Sequence, residues 1–507
     1  MADQMQAQIT PMYNEESPIK MPHLRKLASE GVVFDSAYTN SPLCAPSRFS
    51  MVSGRLPSKI GAWDNAAQMA SDVPTYAHFL RRMGYHTALS GKQHFIGPDQ
   101  LHGYEQRLTS DIYPADFGWT VDWRYPEVRA DWYHNMSSVE QAGPCFTSNQ
   151  LDYDEEVTYQ AQKYIWKRAR MHRDQPFCLT VSMTHPHDPY TARQEYWDRY
   201  EGEEIPLPKT HIPQDKQDPH SKRLLTLIEL MGREMSEEDI KRARRAYFAN
   251  CSYVDDKVGM LVETLRKSNL LDNTIIVFSG DHGDYLGERG LWYKMGYHEG
   301  PARVPMIFHY PKAWTPKRVK QAVSTMDITP TFVNILGGEI DPYISMEGRT
   351  MIKHLQGQPG GHDEVIGEYF GEGTISPLFM IRRGSYKFIY CDTDPSQLYN
   401  LDDDPQELNN LCQSADKEII QLVNAFHDEI ALRWDIQALR KEVLESQARR
   451  RFVSASLAIG EHMVWDHQPM FPAHKEFIRN GADILDQAEE LARFPPVQWT
   501  ANLNKQR

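Results

Sequence analysis

TIIVFSGDHGDYLGERG, residues 274–290, passes from a short apolar run directly into a cluster of glycine, aspartate and histidine. Ile275, Ile276, Val277 and Phe278 are β-branched or aromatic, and the run is too short for a helix, so it reads as a buried strand. The Gly and Asp residues behind it turn the chain. The same succession occurs twice more: HTALS (86–90) leads into GKQH (91–94), and FCLTVSM (177–183) leads into THPHDPY (184–190). Helical spacing separates these runs. Tyr76, Phe79, Leu80 and Met83 share a face ahead of Gly84, and Val157, Ala161, Tyr164 and Ile165 share another. Ser236 and Asp239 form a capping box before Tyr247, Cys251, Val254, Val258, Leu261 and Leu265. Strands alternating with helices predict an α/β fold, a mostly parallel sheet with helices on both faces. Ligands bind beyond the carboxyl ends of such strands, so three strand exits rich in His, Lys and Asp point to one site.

Past residue 370 the texture changes. LFMIRRGSYKFIYC (378–391) and SQLYNLDDDPQELNNL (396–411) read as short antiparallel strands and a turn, and 414–446 reads as charged helix. The predicted organisation is a catalytic α/β domain over 1–370, a small antiparallel-sheet and helix domain over 371–444, and an extended tail over 445–507. The Pro- and charge-rich stretch 201–222 is expected to be a surface loop.

The chain has 507 residues, 40% hydrophobic and 24% charged, which suits a folded protein with a large core. A net charge of −14 without a lysine/arginine stripe argues against nucleic acid as a partner. The six cysteines are scattered, with no CxxC, and read as reduced thiols of a cytoplasmic protein. No apolar run is long enough to span a membrane and no signal-peptide core is evident, so no membrane association is expected.

The strand exits suggest particular chemistry. Adjacent Asp281 and His282 can share a divalent cation, the carboxylate favouring Ca²⁺, Mg²⁺ or Mn²⁺. Asp3 is a further ligand if its segment returns to the strand ends. Lys92 and His94, two residues apart, point the same way in extended chain and suit a tetrahedral oxyanion, one as charge and one as proton carrier. His185 is a further acid/base candidate, His187 reads as structural, and Lys294 can return to the same pocket from the Asp281 loop. In SPLCAPSRFSMVSGR (41–55), prolines flank Cys44 where a helix starts, beside free N–H groups that favour an anion. A small cysteine that merely packs is the alternative. Together with Arg48, these residues suit hydrolysis of a sulfate or phosphate ester with a metal as Lewis acid.

CAPSR (44–48) resembles the C-x-P-x-R signature of type I sulfatases, with Cys44, Pro46 and Arg48 in register. The likeness extends over nearly the whole chain through GKQH, THPHDPY, SGDHGDYLGERGLWYK and QLYNLDDDPQEL. It implies the alkaline-phosphatase-like fold. TNSPLCAPSR, LSGKQHFIGPDQLHG, DIYPADFGW, DWYHN, ESQARR and WDHQP are similar to the choline-sulfatase branch of that family. The resemblance implies a formylglycine made from Cys44 by a separate maturase, and one divalent metal, calcium foremost, on Asp3, residue 44, Asp281 and His282. It implies His94 as the base that releases sulfate, His185 and Lys294 at the leaving group, and Lys92 and Arg48 steadying the aldehyde hydrate. Many sulfatases carry two consecutive carboxylates at the first metal motif and Asn at the last, where this chain has Asp3-Gln4 and Asp281-His282. The branch further implies choline-O-sulfate as substrate, a homotetramer, and a choline pocket of Trp119, His134, Asn135, Glu372 and, from the tail, Asp486. Exposed Trp465, Phe471 and Phe477 fit an oligomer.

One departure concerns the start. The family's first metal-ligand Asp follows a buried apolar strand, whereas only Met1 and Ala2 precede Asp3. Either the true start lies upstream or the sheet lacks a central strand. The latter would leave each buried backbone group unpaired at a cost of about 1–3 kcal/mol, tether Asp3 loosely, lower stability and weaken metal binding. Two other readings are a phosphonate or phosphate monoester hydrolase of the same superfamily and a non-catalytic choline-binding descendant. A thiolate hydrolase is disfavoured, because no Cys–His–Asn set is visible.

Overall fold

A computed structural model describes residues 1–459. Trp465, Phe471, Phe477 and Asp486 lie outside the described residues. The strands read from sequence form β3 (His86–Gly91), β6 (Phe177–Pro186) and β8 (Ile276–Ser279). They belong to two four-stranded sheets. One has β4 (Gln106–Arg107), β3, β6 and β1 (Ala2–Asp3) side by side, all parallel. In the other, β8, β9 (Met306–His309), β2 (Val32–Tyr38) and β10 (Lys317–Ser324) lie in that order, and β9 runs antiparallel to both neighbours. The two sheets meet at Ala2, which pairs with Met183 of β6 and bridges, also in parallel, to Gly280 just past β8. Below that bridge Phe177–Val181 of β6 and Ile275–Val277 next to and in β8 are half-buried. A small two-stranded sheet pairs β5 (Gly143–Cys145) with β7 (Thr191–Arg193).

Both faces are covered, as alternation along β2 illustrates: Val33 belongs to one hydrophobic core, and Val32 and Phe34 belong to the other. On one face lie α3 (Asn149–Met171) and α4 (Glu237–Lys267), burying Val157, Ala161, Tyr164, Tyr247, Cys251 and Val254. Ser236 caps α4 by accepting the Asp239 N–H at 3.1 Å. On the other face are α1 (Cys44–Ser53) and α2 (Tyr76–Arg82).

The antiparallel unit begins earlier than the sequence suggested. Its first strand, β11 (Glu364–Tyr369), precedes residue 371 and pairs with β12 (Leu378–Arg383), followed by β13 (Tyr386–Cys391) and β14 (Gln397–Asn400). The helical region divides at Trp434 and Asp435 into α5 (Lys417–Arg433) and α6 (Ile436–Leu457), so α6 runs through the expected boundary at 444. Phe426, Ile430 and Trp434 pack with Phe379, Phe388 and Leu398 of the small sheet. The stretch 201–222 is loop with one 3-10 turn at Gln214–Lys216, and a short helix begins at Pro219.

Helix α6 is fixed to the catalytic domain by a buried ion pair. Arg450 donates from both terminal nitrogens to Asp64, at 2.6 and 2.9 Å, and Gln447 accepts the Trp123 N–H at 3.0 Å. Arg450→Ala would leave the Asp64 carboxylate buried without its cation. The expected loss is about 3–5 kcal/mol, read as a lower urea midpoint at unchanged slope.

Among the described residues, no helix is long and apolar enough to cross a membrane.

Candidate active site

The site is built at the strand exits around the first residue of α1. Leu43 is extended and α1 starts at Cys44, which is buried. Its sulfur lies 3.2 Å from His282 Nε2, 3.8 Å from Asp3 Oδ1 and 3.5 Å from Lys294 Nζ. Burial by itself would raise the thiol pKa, but the cations Lys294 and Lys92 and the His282 imidazole bring it well below the ordinary range. These neighbours therefore favour an anion at this position.

Asp3 is not loosely tethered. It is fully buried, holds the Lys92 ammonium and lies 3.5 Å from Arg48 Nη2. Met1 secures the segment: its amine donates to Val181 O at 2.7 Å, and its carbonyl accepts the Met183 N–H at 3.0 Å. Arg48 Nε donates to Asp281 at 2.8 Å, and its Nη1 reaches Lys92 O and Ser182 Oγ at 2.6 and 2.8 Å. Despite burial, Arg48 and His282 hold the Asp281 carboxyl far below its usual range. Asp3, Cys44, Asp281 and His282 each offer one ligand atom, all within 4.8 Å of one another. Two carboxylates and an imidazole converging in a dry pocket fit a hard divalent cation.

Gln4 stands where a second carboxylate is common. Its side chain donates to Asp284 at 2.6 Å and accepts from Lys294 Nζ at 2.8 Å. Burial raises the Asp284 carboxyl to about 6.

Lys92 and His94 both reach the site. The Lys92 ammonium also lies 4.3 Å from the centroid of the Tyr113 ring, and the His94 ring adjoins the Cys44 sulfur. Asp111 accepts the N–H groups of Gln93 and His94 at 3.0 and 2.9 Å, fixing that turn, in which His94 has φ 58°. The two imidazoles of THPHDPY are sorted opposite to expectation. The His185 ring points at Asp154 of α3, 2.7 Å away, and packs on Tyr253 of α4. His187 Nε2 instead lies 2.6 Å from Lys294 Nζ, and Asp188 braces its other nitrogen. Lys294 sits between two residues of positive φ, Tyr293 and Met295, and the Met295 N–H donates to Pro42 O at 3.1 Å, tying this loop to the Cys44 turn.

Beside the reacting groups is an aromatic wall. Trp119 and Trp132 lie nearly parallel with centroids 6.1 Å apart, Tyr113 is 5.6 Å from Trp119, and Tyr133 stands edge-on to Trp132. Glu372 is buried, receives the Tyr369 hydroxyl on its backbone carbonyl at 2.7 Å, and its carboxyl is raised by burial to about 7. The His134 ring packs at a tilt against Tyr293, centroids 4.7 Å apart, and faces Asp188 at 3.5 Å. The Asn135 side chain caps the turn, accepting the Ser137 N–H at 2.9 Å. Of the aromatics, sequence reading singled out Trp119 alone. Trp132, in DWYHN, and Tyr113, in DIYPADFGW, were within the quoted motifs but carried no spacing signal of their own.

A buried Cys44 favoured as an anion by its neighbours, two carboxylates and an imidazole around it, and further imidazole and ammonium groups on two sides are the groups that an ester hydrolase uses. The family model described as Sulfatase matches residues 1–338, and the chain belongs to the sulfatase family, as a sulfuric ester hydrolase. Two further models match: N-sulphoglucosamine sulphohydrolase, C-terminal, over 287–433, and Choline sulfatase enzyme C terminal, over 441–494. The choline-sulfatase of Rhizobium meliloti (strain 1021) is 45% identical over 507 residues, covering 98% of this chain and 97% of that protein. Arylsulfatase K of Gallus gallus is 27% identical, covering 81% of this chain and 79% of its own length. Among solved structures, BT4656 in complex with D-glucosamine-2-N,6-O-disulfate superimposes with a TM-score of 0.67 at 23% identity, covering 86% of this chain and 98% of that one. The phosphonate monoester hydrolase of Agrobacterium radiobacter gives 0.66 at 21% identity, covering 87% of this chain and 95% of its own. Both share the alkaline-phosphatase-like fold.

Proposed function

We propose that the chain hydrolyses choline-O-sulfate to choline and inorganic sulfate. The observation that carries this reading is Glu372, a buried carboxylate beside the Trp119, Trp132 and Tyr133 aromatic cluster. A quaternary ammonium has no N–H to donate, so aromatic faces and an unpaired carboxylate are what recognise it. The 45% identity to a choline-sulfatase supports the same substrate.

The family's formylglycine at residue 44, made by a maturase, supplies a hydroxyl nucleophile, and the Cys44 sulfur occupies the place of that oxygen. Asp3, Asp281, His282 and residue 44 would hold one divalent cation, with calcium first among the candidates, which supplies positive charge to the sulfate oxygens. Arg48 and Lys92 orient the two carboxylates and add charge against the ester. The Lys294–His187 pair is placed to protonate the departing alcohol oxygen, in the role first read for His185. His94, on the other flank, takes the proton from residue 44 when sulfate leaves. Six unpaired cysteines support a reducing, cytoplasmic setting. Phe452 and Ile459, 74% and 82% exposed at the end of α6, support assembly into a homo-oligomer, a tetramer in this reading.

Glu372→Gln tests the substrate. KM for choline-O-sulfate is expected to rise by roughly 30-fold, the equivalent of about 2 kcal/mol, with para-nitrophenyl sulfate turnover unchanged. Equal losses on both esters overturn the reading.

The pH dependence has a defined sign. The Glu372 carboxyl, raised to about 7, is faced by Asp64, Tyr133 and Tyr369 and, oppositely charged, by Lys294. Only the ionised form attracts the substrate cation, so KM should climb by up to about tenfold per pH unit below 7 and level off above it, a limb that Glu372→Gln lacks. Because the folded pKa lies above the unfolded one, this group's contribution to stability declines as pH rises between about 4.5 and 7.

A further inference from the structure

A second cavity, of about 260 Å³, lies between the N-terminal segment from Gln6 onward, the 206–210 loop, α4, the 285–289 loop and the 405–407 turn. No residue assigned above to the reaction lines it. Four of its lining side chains are more than nine-tenths buried and keep hydrogen-bonding groups that no described residue satisfies. They are both ends of the Gln6 carboxamide, the Arg244 Nε–H, the Arg289 Nε–H and His298 Nε2. Buried polar groups in folded proteins are rarely left so, and four on residues that line one cavity mark a place built for a polar guest.

The charge of the lining identifies that guest. Arg244 donates to Leu286 O at 2.9 Å and approaches the nearest carboxylate, Glu288, only to 3.8 Å. Glu288 is already engaged, accepting the N–H groups of Lys209 and Thr210 and the Thr210 hydroxyl at 2.9–3.0 Å. Arg289 spends its Nη1 on the carbonyls of Gln406 and Glu407. The other two carboxylates of the lining, Glu299 and Glu407, share the buried Lys387 at 2.6 and 2.8 Å, and Glu299 also accepts the Tyr38 hydroxyl. With Lys387 counted, the cations Lys209, Arg244, Arg289 and Lys387 outnumber the carboxylates Glu288, Glu299 and Glu407, which leaves a positive surplus at the cavity. Planar guanidinium forks match carboxylate, sulfate and phosphate oxygens, and an adjacent primary amide adds two donors.

We propose that this cavity is a second binding site, for a small oxyanion gripped by Arg244, Arg289 and the Gln6 amide. It is connected to the reacting centre through hydrogen bonds. The Gln6 N–H donates to the Tyr247 hydroxyl at 2.9 Å, that hydroxyl donates to Gln4 O at 2.6 Å, and the Gln4 N–H donates to Asp281 at 3.0 Å. An anion that engages Gln6 therefore stiffens the segment that carries Asp3.

Selenate, a sulfate analogue visible by anomalous scattering, tests the site in crystals of the full chain. The expected result is a selenium peak within hydrogen-bonding distance of Arg244 and Arg289, apart from any at residue 44. Calorimetric titration with selenate, phosphate and acetate in turn shows which oxyanion class the cavity prefers. The preferred anion should bind at least tenfold more weakly to Arg244→Gln and Arg289→Gln, with turnover of saturating sulfate ester unchanged. A selenium peak at residue 44 alone, or affinities for all three anions that neither substitution changes, overturns the proposal.

Discussion

Cys44→Ala is expected to reduce sulfate-ester turnover by about 10⁴-fold or more without unfolding the protein. Alanine is the best helix former, and Cys44 occupies the first position of α1, so the substitution costs the helix nothing. What it removes is the atom on which the site converges. The sulfur lies within 4 Å of Asp3 from the N-terminal segment and of His282 and Lys294 from the long loop after β8. Without a reacting atom there, the surrounding cations still bind the sulfate group. Substrate should therefore bind with little change in affinity while kcat collapses, as single-turnover kinetics can establish. Mass spectrometry of the wild-type peptide carrying residue 44 should find an aldehyde in place of the thiol. Residual turnover near the wild-type level would place the nucleophile elsewhere.

The second large effect depends on the leaving group. His187→Ala should slow hydrolysis of choline-O-sulfate by about 10²–10⁴-fold, the usual contribution of a positioned proton carrier. Choline leaves as a basic alkoxide unless it is protonated, whereas para-nitrophenolate departs unaided, so para-nitrophenyl sulfate turnover should barely change. The Lys294 ammonium, 2.6 Å from His187 Nε2, is the matching donor, and Lys294→Ala should give the same dependence on leaving group. His185→Ala should behave differently. It deprives the buried Asp154 of its 2.7 Å ring partner, so it should cost about 1–3 kcal/mol of stability and leave the leaving-group dependence intact.

The contrast between these histidines shows where sequence reading reached its limit. Residues two apart share a side only while the strand continues, and β6 ends at Pro186, between them. Strands β3, β6 and β8 were read as short apolar runs bounded by turn residues, and they lie where those runs are. Cys44, Arg48, Lys92, His94, Asp281 and His282 were legible because fixed spacing and strand exits identify them. Strand β2 was harder to see, since Asp35 and Ser36 interrupt VVFDSAY and only their partial exposure makes room for them. The Asn135 side chain, expected in the substrate pocket, also caps a turn through its Oδ1, a use that the sequence did not announce. The link between Gln4, Lys294 and Asp284 joins residues about 290 positions apart, and nothing local in the sequence announces it.

A continuous eight-strand sheet would present two free edges, but one interrupted at its middle presents four. Residues 177–181 and 275–277 flank that interruption, and half of their amides face no neighbouring strand among the described residues. Deuterium should enter these amides faster than those of β2 or β3. The same backbone is a ready template for an extended segment of suitable length, so a peptide that pairs there should slow the deuterium uptake of these amides.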